Sequence, residues 1–185
     1  NICGMGTGFT VMSANGFRIK ERLQRLSSRL FGNRFFRGFV VPGGVAHDLS
    51  PERIDDLIGT LDGAWAEASA LIRLGMGSDT LRDRLETTGV LSRDAAWAYG
   101  AKGIAARASG LDRDARRDHP HAAYGPIPFP VPTRTEGDVF ARVMVRVDEM
   151  ATARDIVRIA AARCRDRETD PSVASRCDPR DGDAL

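Results

Sequence analysis

The feature that most limits what this chain can fold into is an apolar helical repeat that returns three times. Phe9, Met12, Gly16, Ile19, Leu23, Leu26 and Leu30 recur at spacings of three and four residues. Ile54, Leu57, Ile58, Leu61, Trp65, Ala68 and Ile72 do the same, and so do Phe140, Val143, Val147 and Met150, with Val157 two turns further on. Such a stripe covers one side of an α-helix and must be buried against another element. The spacing predicts long helices at about 9–31, 51–74 and 137–163, packed side by side in a mainly α bundle.

The boundaries of these helices are also written locally. Ser50-Pro51-Glu52 offers a capping hydroxyl, a proline for the first turn and an acid at the positive end of the dipole. Thr135-Glu-Gly-Asp138 reads as a capping box for the third helix. Glycines at 32, 75 and 77 supply the stops. Shorter helices are expected from Thr80 to Glu86 and from Ser92 to Tyr99.

Two stretches exclude regular helix. Phe35 to Val45 combines β-favouring residues with Pro42-Gly43-Gly44, which predicts an extended segment and a turn. Pro126, Pro128, Pro130 and Pro132 alternate, which predicts an extended arm.

Between the second and third stripes runs Gly100 to Pro120, where three glycines punctuate a dense charge pattern. Asp112, Asp114 and Asp118 are interleaved with Arg113, Arg116 and Arg117. Ordering so many charges is costly unless they pair or meet a partner. Apolar residues flank the run on both sides, so it is read as a positioned functional or interface loop rather than a solvated one. Arg107 has no acid within four residues and is expected to reach outward. A further row, Arg18, Arg22, Arg25 and Arg29, follows the first stripe. It is read as a solvated face, the alternative being a docking surface for an acidic partner.

The formal net charge of +2 gives no case for nucleic-acid binding. No apolar run approaches the roughly 20 residues that cross a bilayer. Cys3, Cys164 and Cys177 contain no paired C-x-x-C motif, so no disulfide framework or thiolate metal set is expected within the stretch. No nucleophile–base pair or phosphate loop is visible either. Residue chemistry alone ends at a mainly helical domain with a densely charged loop. It spans 1–163, followed by a polar tail at 164–185 expected to be disordered or truncated.

Three segments carry a resemblance beyond this. GIAARASGLDRDARRDHP (103–120) is similar to a "G…(L/A)R-x-S-G…D-x-R…P" signature. Gly32 to Val45, followed by Asp48-Leu49, is similar to "G-x-R…P-G-G-V…D-L", and Gly137 to Met150 to "G-D…R…R…E-M". Taken in chain order they resemble one superfamily. Its members are the large subunit of energy-converting nickel–iron hydrogenases, of the formate hydrogenlyase type, and the 49-kDa or D subunit of respiratory complex I.

The resemblance implies a large subunit of a membrane-attached oxidoreductase complex, with this chain as its internal portion and inactive alone. Implied partners are an iron–sulfur small subunit, which holds a [4Fe–4S] cluster, and the membrane-arm subunits, with peripheral attachment to the inner face of the cell membrane. No cofactor is expected on the stretch itself, a nickel–iron centre being possible in the full-length protein. Implied cavity or interface residues are Arg37, Gly43, Gly44, Arg107, Ser109, Asp112, Arg116, Asp138, Arg142, Arg146 and Glu149. Quinone-reducing members carry a histidine where this chain has Phe36, so the expectation leans to the hydrogenase branch. Quinone reduction and a non-catalytic scaffold are the alternatives.

Overall fold

The computed structural model describes Gly4, Gly6, residues 8–42 and residues 44–165. Among them are α1 (Thr10–Phe31), β1 (Val40–Val41), β2 (Gly44–Val45), α2 (Pro51–Met76), α3 (Asp79–Leu85), α4 (Arg93–Ala98), α5 (Gly103–Ala108), α6 (Ala115–Asp118) and α7 (Val139–Arg165). The fold is mainly α, as the stripes predict. Of the tail expected at 164–185, Cys164 and Arg165 instead end α7, because the helix runs on past Arg163. The rest, with Cys177, lies outside the described residues, as do Cys3 and Gly43.

The long helices form a row with α2 in the middle, packed against α1 on one side and α7 on the other. Small residues let α2 approach its neighbours closely: Ala64, Ala68 and Gly75 are buried with Ile54. A Cβ added at Gly75 would stand 2.9 Å from the Met12 sulfur. Met12 joins Leu81 and Leu85 of α3 in the core cluster that closes this end of the bundle.

Capping follows the sequence at three helices. Ser50, Ser78 and Ser92 accept hydrogen bonds from the amides of Arg53, Leu81 and Ala95 at 3.4, 3.4 and 3.2 Å. Each such cap contributes about 1 kcal/mol. The third long helix departs from expectation. Its cap is Asp138, whose Oδ1 accepts from the Ala141 amide at 2.7 Å, and not Thr135. Gly137, at φ 69°, turns the chain between the two, so the helix begins after Asp138.

The apolar stripe of α7 is also corrected. Its buried positions are Ala141, Val145, Thr152, Ile156 and Ala161. Ala141 and Val145 pack against Ala108 of α5. Phe140 and Val143 of the expected stripe pack against the Met12, Leu81 and Leu85 cluster, whereas Val147 and Met150 line an open groove shared with α1 and α2. Alanine and threonine mark a tightly packed face poorly, so the larger side chains beside them traced only part of the buried surface.

The arginine row on α1 neither stays free nor waits for a partner. Arg18 and Arg22 pair with Glu67 of α2 at 3.0 and 2.9 Å, and Arg29 with Asp56 at 3.0 Å. Arg25 turns back to Glu21 at 2.9 Å. From the other side, Arg158 and Arg165 of α7 reach Asp62 and Asp55. Each exposed pair is worth about 0–1 kcal/mol. Together they hold the register of the row.

The extended segment is a hairpin with Val40 opposite Val45 and Val41 opposite Gly44. It is anchored on the end of α1, where the Phe31 and Phe39 rings lie 4.5 Å apart. His47 Nε2 sits 3.0 Å from the Leu30 carbonyl oxygen, which gives that histidine a structural place. The proline arm has no regular structure and is held by buried Ile127 and by Arg163, which donates to the Pro126 carbonyl at 2.7 Å. The charged run holds two short helices, α5 and α6, with Gly103 opening α5 and Gly110 lying between the two.

Candidate functional site

The charged run folds onto α7 around one buried cation. Arg107, on α5, is 7% exposed. Its Nη2 donates to Glu149 of α7, and its Nη1 donates to the Arg113 carbonyl at 3.1 Å. Nη1 also lies 3.7 Å from Asp114, itself buried. The expectation that Arg107 reaches outward is therefore corrected: its acids lie far away in sequence and close in space. A buried guanidinium is tolerated only when paired and hydrogen-bonded, and this one meets two carboxylates and a carbonyl. Its Nε is the remaining buried donor without a protein partner.

Asp114 is the second centre of the cluster. Its carboxylate accepts a two-pronged contact from Arg116, at 2.9 Å from Nε and 2.6 Å from Nη2. It also accepts from the Arg116 amide at 3.0 Å, so it starts α6 as its cap. The Arg116 side chain holds the Asp114 carboxyl below the usual carboxylate range, against the opposing effect of burial. In return Asp114 raises the Arg116 guanidinium above its ordinary value. Arg116 extends this contact to the proline arm, lying 5.2 Å from the Phe129 ring centre and 5.9 Å from that of Tyr124.

Asp114 is absent from the candidate residues that the family pattern implies. The signal for it was present: an aspartate two residues before an arginine, positioned to cap the backbone two residues on. Asp112, which the pattern does implicate, is exposed and pairs with Arg117 at 2.8 Å.

A second cluster clamps the start of α7. Ser109, 1% exposed, lies 2.8 Å from the Leu91 carbonyl and 3.0 Å from the Ala105 carbonyl, to either of which its hydroxyl donates. The Gly137 amide donates to the Ala108 carbonyl, and its own carbonyl accepts from Leu91, both at 2.9 Å. Asp138 Oδ2 accepts from the Thr87 amide at 2.8 Å. Arg142 donates to the carbonyls of Gly89 and Gly137 at 2.5 and 2.8 Å rather than pairing with Asp138. Asp138, Arg142 and Ser109 thus join the loop before α4 to the ends of α5 and α7. Arg142 and Arg146 make no ion pair with Glu149 on the same helix, since Glu149 is taken by Arg107.

Arg146 is exposed and borders two cavities. One, of about 1040 Å³, lies between α5, α6 and α7, and half of its lining residues are charged. The other, of about 770 Å³, is the apolar groove between α1, α2 and α7. Arg37 and Gly44 stand apart on the hairpin, where Phe35, Phe36, Val40 and Val45 expose apolar surface.

Among the described residues, no group of three His, Cys, Asp or Glu side chains is arranged to hold a metal ion. A nickel–iron centre calls for thiolates, and the one described cysteine, Cys164, is exposed on α7. These residues do not fit such a centre, and no chemistry is derived through it. No described helix is long and apolar enough to cross a membrane.

The sequence profile of the respiratory-chain NADH dehydrogenase 49-kDa subunit family matches residues 5–179. The D subunit of the NADH-quinone oxidoreductase of Methylorubrum populi is 31% identical over 160 residues, covering 86% of this chain and 40% of that protein. The C/D subunit of the Phocaeicola vulgatus enzyme is 35% identical over 145 residues, 77% of this chain and 27% of that protein. The D subunit from Methylobacterium sp. (strain 4-46) is 33% identical over 150 residues, 81% and 38% of the two chains. The chain therefore spans two fifths or less of the length of these relatives. With nearly the whole chain matched by the profile, and with the hairpin, loop and α7 signatures in order, the chain belongs to the 49-kDa subunit family of the respiratory-chain NADH dehydrogenase.

Proposed function

We propose that this chain is the helical part of the quinone-reducing subunit of an NADH-quinone oxidoreductase complex. The observation that carries the reading is the family match over residues 5–179, with relatives named as the D or C/D subunit of that enzyme. It reverses the lean towards hydrogenase that Phe36 suggests. In this reading a quinone takes two electrons from an iron–sulfur cluster in a partner subunit and two protons from its surroundings. The chain supplies a rigid wall and the partner supplies the cluster.

The hairpin is the surface that fits the small subunit. Phe35 and Val40 are 62% and 75% exposed, and Phe36 and Val45 about half exposed. Clustered apolar side chains on so small an element mark a protein interface. Arg37 and Gly44 belong to this surface. Membrane-arm subunits would hold the complex peripherally at the inner face of the membrane.

One observation favours a second reading, a hydrogen-converting complex. Phe36 offers no group to hydrogen-bond a quinone, and its ring is engaged 4.7 Å from that of Phe31. Both readings are tested on the complete complex. NADH-driven quinone reduction with no stoichiometric nickel supports the first. Hydrogen-dependent dye reduction with bound nickel overturns it in favour of the second, and neither activity in an assembled complex supports a scaffold.

A further inference from the structure

The charged cavity has an excess of cations that the fold does not use. Five cationic side chains and three carboxylates face it. All three carboxylates are taken: Glu149 by Arg107, Asp114 by Arg107 and Arg116, and Asp118 by Arg117 at the rim. Lys102, Arg113 and Arg146 also face the cavity, are exposed, and have no acidic partner among the described residues. The contrast with the arginine row of α1 is informative, because there Arg18, Arg22 and Arg29 find acids on the neighbouring helix and Arg25 finds Glu21 on its own.

Aromatic surface adjoins the unpaired cations. The Arg113 guanidinium lies 4.3 Å from the centre of the Trp97 ring, and Trp97 is still 60% exposed. Tyr99, three residues before Lys102, is 86% exposed. Tryptophan, tyrosine and arginine together are the composition of interface anchors. A volume of about 1040 Å³ takes several side chains, more than one small anion fills.

We propose that this cavity receives an acidic segment of another subunit, with its Asp or Glu side chains paired to Lys102, Arg113 and Arg146. Arg107, Asp114 and Glu149 form the fixed floor against which the segment docks. Trp97 and Tyr99 cover its apolar part. Complementary charge at such a site sets partner choice and orientation. The inference rests on the chain acting as one subunit of a complex, and not on the redox substrate of that complex.

The test uses the full-length protein in its assembled complex. Tyr99→p-benzoylphenylalanine is irradiated and the crosslinked peptide is identified by mass spectrometry. The expected product joins Tyr99 to a segment of another subunit that carries Asp or Glu side chains. A crosslink only within the same protein, only to a segment without acids, or none at all, overturns the proposal.

In the second arm, K102E/R113E/R146E is expected to lower crosslink yield by about tenfold or more, and the milder K102Q/R113Q/R146Q by a smaller factor. Lys20, Arg53 and Arg73 are exposed elsewhere, and reversing them makes the same change in net charge. That control is expected to alter yield by less than about twofold. Equal losses from both sets would show only the field of the whole protein and sink the proposal. Loss of the crosslink with quinone reduction untouched, or the reverse, separates this inference from the redox reading.

Discussion

Arg107 shows how a residue can carry a family signature and still act as structure. Its guanidinium joins a loop to a long helix through Glu149 and Asp114, and it is nearly sealed from solvent. Arg107→Ala would leave Glu149 without its cation while Asp114 keeps Arg116, which costs about 3–5 kcal/mol. Arg25→Ala removes an exposed pair with Glu21 and costs under about 1 kcal/mol. Urea denaturation of the two variants checks the contrast, and equal small effects would make the loop ordinary surface. Asp114 gives the pH dependence. Its carboxyl lies below the ordinary value in the folded protein, chiefly through Arg116. Its contribution to stability is therefore complete above about pH 4, the unfolded value. It is lost as pH falls through the lower folded value. Acid titration of stability should show this loss in the wild type and a smaller one in Asp114→Asn, which begins less stable at neutral pH.

Among the elements, the junction before α7 is the tightest. Gly137 and Gly100 both have positive φ, 69° and 62°. A Cβ at Gly137 would overlap the Leu91 carbonyl, whereas one at Gly100 meets nothing within 4 Å. Gly100→Ala should cost about 1–2 kcal/mol for conformation alone. Gly137→Ala should cost clearly more, since backbone must also move, and thermal melts of the two variants read the difference. These elements also show where sequence is informative. Serine caps and stripes of Leu, Ile and Met state their purpose within a few residues, so α1, α2, α3 and α4 were legible. Thr135 misled because the turn at Gly137 depends on contacts with Leu91 and Ala108, distant in the chain. The Arg107–Glu149 pair was hidden for the same reason, its members standing 42 positions apart. The buried face of α7 was hidden by its small residues. Family pattern pointed to Arg107 and Glu149 separately, and only the fold brings them together.

At the scale of the whole molecule, α2 is shared by both long-helix interfaces. α1 packs on one flank and α7 on the other, and arginines from each side close on its acids. A row of this kind differs from a ring, in which every helix keeps a second neighbour. Opening α2 releases both long-helix contacts in one event, whereas fraying α1 leaves the α2–α7 pair standing. Native-state hydrogen exchange should therefore rank the helices by position. Amides around buried Ala64 and Ala68 are expected to exchange last, close to the rate of global unfolding, and those of α1 sooner. The row thus sets a hierarchy of openings, in which α2 governs the lifetime of the fold as a unit.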